Sequence, residues 1–117
     1  MNYKELEPLV LIWAEQKGIL EKATPLAQAR KTEEETWELI EACVAQHAGY
    51  KTFTNSKGKL CNTQEENKDA LGVILVTIII GAELQCLKLT DCLEAAYNII
   101  NKRTGKMVDG QFVKDEK

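Results

Sequence analysis

Glu65–Gly81 reads EENKDALGVILVTIIIG, and the fold turns on how it is taken. Three carboxylates fall within the first five residues, and from Val73 to Ile80 only Thr77 is not apolar. Propensity alone allows a buried strand, since Val and Ile suit pleated surfaces and Gly72 and Gly81 bound the run. Three features favour a helix. Thr63 with Glu66 three residues later has the pattern of a capping box. Helix-compatible sequence continues past Gly81 through AELQCLK without a proline, and no other segment offers an equally good partner strand. The run is far short of the roughly 18–20 apolar residues of a membrane span. The stretch is therefore read as a long, largely buried helix, in which Gly72 and Gly81 each cost about 1 kcal/mol relative to alanine unless packing requires them.

The rest of the chain reads as helices around this one. Leu6, Leu9, Val10 and Trp13 fall at i, i+3, i+4 and i+7, predicting a first helix that ends near Gly18. Thr24-Pro25 reads as an N-cap followed by proline at the first helical position, opening a helix that runs to Gly49. Residues 49–62 form a loop with room for a short hairpin. Thr90 caps a last helix with Leu93, Ala96, Tyr97 and Ile100 on its apolar stripe. Gly105 follows as a C′ glycine, opening an extended tail with a turn at Asp109-Gly110. The expected fold class is all-α, a four-helix bundle, with residues 1–117 as one domain.

Composition narrows the function. Hydrophobic residues make up 44% and charged residues 28% of 117, the balance of an ordinary folded domain. A net charge of −3 disfavours a general nucleic-acid-binding surface. The four cysteines lack CxxC spacing and the N-terminus lacks a signal-peptide pattern, so reduced thiols and a cytoplasmic location are expected, with no membrane partner. No ligand spacing supports a zinc site.

The second helix carries KTEEETWELIEA. At 100° per residue Glu34, Glu38 and Glu41 stack on one side with Glu35 and Lys31 in the same arc, while Trp37, Ile40 and Val44 form a separate apolar stripe. An acidic face is often only a solvated one, laced by pairs such as Lys31 with Glu34 and Glu35. Glu66 and Asp69 add a second acidic pair one helical turn apart, although acids also suit a first turn through the helix dipole. Two facing helices with such carboxylates match the oxygen ligands of a hard divalent cation, Mg²⁺ above all.

With EETWE at Glu34–Glu38, a 27-residue spacer, and ENKD at Glu66–Asp69, the chain resembles the MazG-like all-α nucleoside triphosphate pyrophosphohydrolases, in particular the short phage and bacterial type. The C-terminal CLEAAYNIINKRTGKMVDGQFVKDE resembles that family's ending, and the likeness runs from about Lys31 onward. It implies Mg²⁺-dependent (Mn²⁺ also serving) hydrolysis of a nucleoside or deoxynucleoside triphosphate to the monophosphate and pyrophosphate. It also implies a homodimer or homotetramer. Metal ligands would come from Glu34, Glu35, Glu38, Glu66 and Asp69, with Glu34, Glu35 and Glu38 catalytic. Lys31, Asn98, Lys102 and Arg103 would contact phosphate and nucleotide. The sequence departs from the family at one place. Short members read KDAIGD where this chain has KDALGV, so alignment on those flanks puts Val73 at a customary metal-binding aspartate. Alignment on motif spacing gives that role to Glu66 and Asp69 instead. The alternative function is a helical interaction module with weakened or lost catalysis.

Overall fold

The structure, a computed structural model, describes residues 1–116. Among them the chain forms five helices and two β-hairpins, so it is predominantly helical as expected. The order is α1 (Tyr3–Gln16), α2 (Ile19–Lys22), α3 (Pro25–His47), β1 (Thr52–Thr54), β2 (Leu60–Asn62), α4 (Thr63–Leu84), α5 (Leu89–Ile100), β3 (Gly105–Val108) and β4 (Gln111–Lys114). Contacts divide the chain into two compact units, residues 1–86 and from 87 onward. Three of the four expected long helices, α1, α3 and α4, lie in the first unit; α5 lies in the second.

Helix α4 is the centre of the first unit: α1, α2, α3 and β2 all pack on it. Its start differs slightly from the expected capping box. Asn62 is the N-cap, its side chain accepting from the Glu65 N–H, and Thr63 is the first helical residue. Either residue type can cap, so the neighbour that also closes the hairpin takes the role. At the other end Cys86 adopts a left-handed φ of 57° and stops the helix. Thr24 caps α3 as predicted, its hydroxyl accepting from the Ala27 N–H.

Helices α3 and α4 run antiparallel, the register fixed by two side-chain bonds. The hydroxyls of Thr32 and Thr77 lie 2.7 Å apart, and Cys43 Sγ donates to Asn67 Oδ1 at 3.2 Å. Between these, Val73 stands level with the midpoint of Glu35 and Glu38. The interior of the unit is narrow and built mostly from alanine: Ala14, Ala42, Ala45, Ala70 and Ala82 are buried, with Ile79, Ile80 and Cys61.

This interior reverses the expected face of α3 and shifts that of α1. On α3 the inward side carries Gln28, Thr32, Leu39, Ala42 and Ala45, while Trp37 (63% exposed), Ile40 and Val44 (64%) face outward. On α1 Val10, Leu11 and Ala14 turn inward, and Leu6, Leu9 and Trp13 stay largely exposed. Small side chains let the helices approach closely, which the bulkier stripes would prevent.

Gly81 lies 3.8 Å, measured from a Cβ built on it, from Gln28 Cγ, but a Cβ at Gly72 meets nothing within 4 Å. Gly72 therefore carries its helical penalty with no packing return. Gly72→Ala is expected to stabilise the chain by about 1 kcal/mol, read as a higher urea midpoint at unchanged slope.

In the second unit, α5 begins after Lys88, which offers no side-chain cap; Thr90 lies inside the helix instead. Its predicted stripe residues Leu93, Tyr97 and Ile100 are exposed. Gly105 is not a helix C′ residue: α5 closes at Asn101, and Gly105 opens β3, where an added Cβ would strike the Val113 carbonyl. The expected tail is a two-residue hairpin, with Asp109 (φ 49°) and Gly110 (φ 80°) making its turn as predicted.

Candidate functional site

The acids of α3 do gather on one face, and their surroundings differ along it. Glu34 is exposed, whereas the Glu35 side chain is only 12% exposed. Lys31 Nζ lies 3.4 Å from Glu34 Oε2 and 3.5 Å from Glu35 Oε1. Burial alone would lower the Lys31 ammonium, but the two carboxylates outweigh it and raise its pKa.

Glu35 and Glu38 share a hydrogen bond. Burial raises Glu35, with the bond to Glu38 and the Glu38 charge adding to it, against the pull of Lys31. Accepting that bond lowers Glu38 in spite of burial, and Lys57 then Lys31 assist. The two carboxyls are thus pushed apart, Glu35 upward and Glu38 downward, as happens when neighbouring acids share one environment.

Lys57 reaches this face from the β1–β2 hairpin, its Nζ 3.4 Å from Glu38 Oε1. The tip is shaped by Asn55, whose Oδ1 accepts from the Lys57 and Lys59 N–H groups, and by Gly58 at φ 80°. The Ser56 N–H donates to Glu41 Oε2 at 3.3 Å. Two lysines from different elements therefore pair with Glu34, Glu35 and Glu38. At this exposure each pair adds little to stability.

The α4 acids lie elsewhere along the axis. Glu66 and Asp69 line a hollow of about 820 Å³ with Glu65, Lys68, Gly72, Val73 and Val76 among its walls. By the register Asp69 stands level with Ile40–Glu41, about 6 Å from the Val73 level at 1.5 Å per residue. Glu66 is roughly 10 Å from it on the same scale. The α4 residue at the level of the Glu35–Glu38 pair is Val73.

A second cavity of about 580 Å³ adjoins on the other side of Val73 and Val76, bounded by the α1–α2 corner, the start of α3 and the middle of α4. Lys31 lines it, so the acidic face and this cavity meet at that side chain. Asn98, Lys102 and Arg103 belong to the second unit. There Lys102 and Arg103 border a hollow with Lys114, Asp115 and Glu116.

Sequence reasoning missed Lys57, Gln28 and Glu7. Lys57 gave no signal because only the hairpin brings it back to α3. Gln28 sits four residues before Thr32 on the inward face, a polar residue in register with the core. Glu7 likewise interrupts the inward face of α1; its Oε2 is shut from solvent without a hydrogen-bond partner. Burial and then Glu7 push the Tyr3 phenol up to about 12.

Oxygen donors one turn apart on α3 suit a hard cation in kind. The α4 side offers Val73, which has no donor. Among the described residues no three Asp, Glu, His or Cys side chains converge as a metal centre. Among the same residues no single helix is long and apolar enough to cross a membrane. Comparison with protein-family models, with curated proteins and with solved structures gives no match.

Proposed function

We propose that this chain is a MazG-like pyrophosphohydrolase of the four-helix-bundle type, converting a nucleoside or deoxynucleoside triphosphate to the monophosphate and pyrophosphate with Mg²⁺. The observation that carries the reading is the half-buried Glu35–Glu38 pair, flanked by Glu34 and by Lys31, which also lines the 580 Å³ cavity. Glu34, Glu35 and Glu38 would hold the ion, with Asp69 and then Glu66 the nearest oxygen donors on α4. Once bound, the ion would supply Lewis-acid polarisation of the phosphate chain.

The chain's own residues account for the rest. Glu35, the more shielded carboxyl, can hold or take a proton at its Oε atoms, which is the task of a base that orients water. Lys31 is placed between the acids and the neighbouring cavity, where its ammonium can meet phosphate oxygens as a mobile point charge. The outward apolar stripes of α1, α3 and α5 support a homodimer or homotetramer, since so many large apolar side chains rarely stay in water.

One observation favours a second reading. Val73, level with the acidic pair along α4, has no oxygen to offer a two-helix metal site. Lys31 and Lys57 already balance the acids. On that reading the chain keeps the helical scaffold as an interaction module and has lost catalysis.

Pyrophosphate release from the ribo- and deoxyribonucleoside triphosphates, with Mg²⁺ or Mn²⁺, separates the two. Release from at least one triphosphate is the expected result. Folded protein that turns over none of them overturns the enzyme reading. Val73→Asp tests that position: increased release marks it as an emptied ligand site, while unchanged or reduced release marks it as packing.

A further inference from the structure

The 580 Å³ cavity beside the acidic face has the make-up of a small-molecule site. Its walls are Trp13, Ile19, Ala23, Ala27, Val76 and Ile80, and its polar groups are few and separate. That is the usual pattern of ligand pockets, mostly apolar with a small number of orienting polar atoms. Gln28 is the informative one. It is 9% exposed and lines this cavity, yet its side-chain amide makes no hydrogen bond among the described residues. Its amide atoms are open to the cavity rather than sealed in the core, so both the donor and the acceptor are free to bond a ligand there. Thr77, the other buried polar side chain there, is already bonded to Thr32 and to the Ile74 carbonyl.

The rest of the lining indicates what kind of ligand. Lys17, Lys22 and Lys31 border the cavity, and no carboxylate does. Among the described residues Lys17 and Lys22 have no ion-pair partner. Trp13 presents a half-exposed ring. A flat heterocycle with an anionic substituent fits this set. The ring lies against indole and aliphatic walls, its polar edge meets the paired donor and acceptor of one amide, and its charge meets the lysines.

We infer that the cavity is a nucleobase pocket in which Trp13 contacts the face of the base, Gln28 reads its edge, and Lys17, Lys22 and Lys31 hold the phosphates. The inference rests on the nucleotide reading of the adjoining site. It assigns base selection to Gln28, on the opposite side of Lys31 from the acids. A glutamine side chain reads a base through two simultaneous bonds, which fixes orientation as well as identity.

The test uses binding without metal, so that it does not depend on hydrolysis. In full-length Trp37→Phe protein Trp13 is the sole tryptophan reporter. Titration with AMP, GMP, CMP and UMP is expected to quench its fluorescence saturably for at least one base, whereas ribose 5-phosphate and inorganic phosphate leave it unchanged. Gln28→Leu is expected to weaken the preferred monophosphate about tenfold and to bring the four within about twofold of each other. Gln28→Glu, of the same shape, should also abolish the preference. The pocket assignment is overturned if no monophosphate quenches Trp13 in folded protein, or if both Gln28 variants keep the wild-type order of bases. Quenching without pyrophosphate release leaves the pocket standing and removes the hydrolysis reading. Release without quenching does the opposite.

Discussion

Glu38→Gln is expected to lower Mg²⁺-dependent pyrophosphate release by roughly 100-fold or more, the scale on which a positioned acid–base or ligand group acts. The change keeps shape and removes charge. It takes away the one carboxylate of the pair whose pKa is held down, by Glu35 and then Lys57 and Lys31. Lys57 loses its partner at the same time, but its pair is exposed and its loss should barely move the melting temperature. Millimolar Mg²⁺ should raise the melting temperature of the wild type and not of the variant, because an ion bound only to the folded state stabilises it by mass action. If Glu38→Gln hydrolyses triphosphates as fast as the wild type, the acidic face is a solvated surface and Glu38 has no part in the chemistry.

The second large effect concerns stability. Ile80 is the largest fully buried side chain, 2% exposed on α4 where the helix also walls the proposed pocket. Ile80→Ala is expected to cost about 3 kcal/mol, within the usual range for removing buried branched side chains. For a unit of this size that lowers the thermal midpoint by roughly 10–20 °C. Most other buried apolar positions already hold alanine, so little else nearby can move in to fill the space. A drop of only 1–2 °C in a calorimetric scan would mean that Ile80 is not at the centre of the packing.

The helices were legible in the sequence where their end signals are local. Thr24-Pro25 and the Asp109-Gly110 turn depend on a few residues and appear as read. The shift of the α4 cap from Thr63 to Asn62 is a choice between adjacent competent residues, decided by the hairpin ahead of it. Helix faces were harder to read. Apolar periodicity selects the bulkiest stripe, yet α3 turns Trp37, Ile40 and Val44 outward and packs Ala42 and Ala45 against its neighbour. Which side of a helix is inside depends on how closely its partner approaches, and one helix's sequence does not carry that distance.

The acidic face could be read because it lies within a single helix, at i, i+3 and i+4. What stands opposite it could not. The register that sets Val73 against Glu35 and Glu38 depends on the Thr32–Thr77 and Cys43–Asn67 bonds, both between residues far apart in sequence. Lys57 and Gln28 were hidden for the same reason, since each acquires its place only through tertiary packing.

An interior made mainly of alanine also has a calorimetric consequence. Melting it brings little new hydrocarbon into water, and newly wetted hydrocarbon is what makes unfolding absorb more heat as temperature rises. The isolated chain should therefore have a heat-capacity increment below the roughly 12–15 cal/mol/K per residue of ordinary domains. Its stability would then vary only gently between cold and heat. If Trp37, Ile40 and Val44 are covered by another copy, the increment rises towards the ordinary value and the melting temperature climbs with concentration. A dilution series in a scanning calorimeter would thus report, through the curvature of one baseline, whether those side chains meet water.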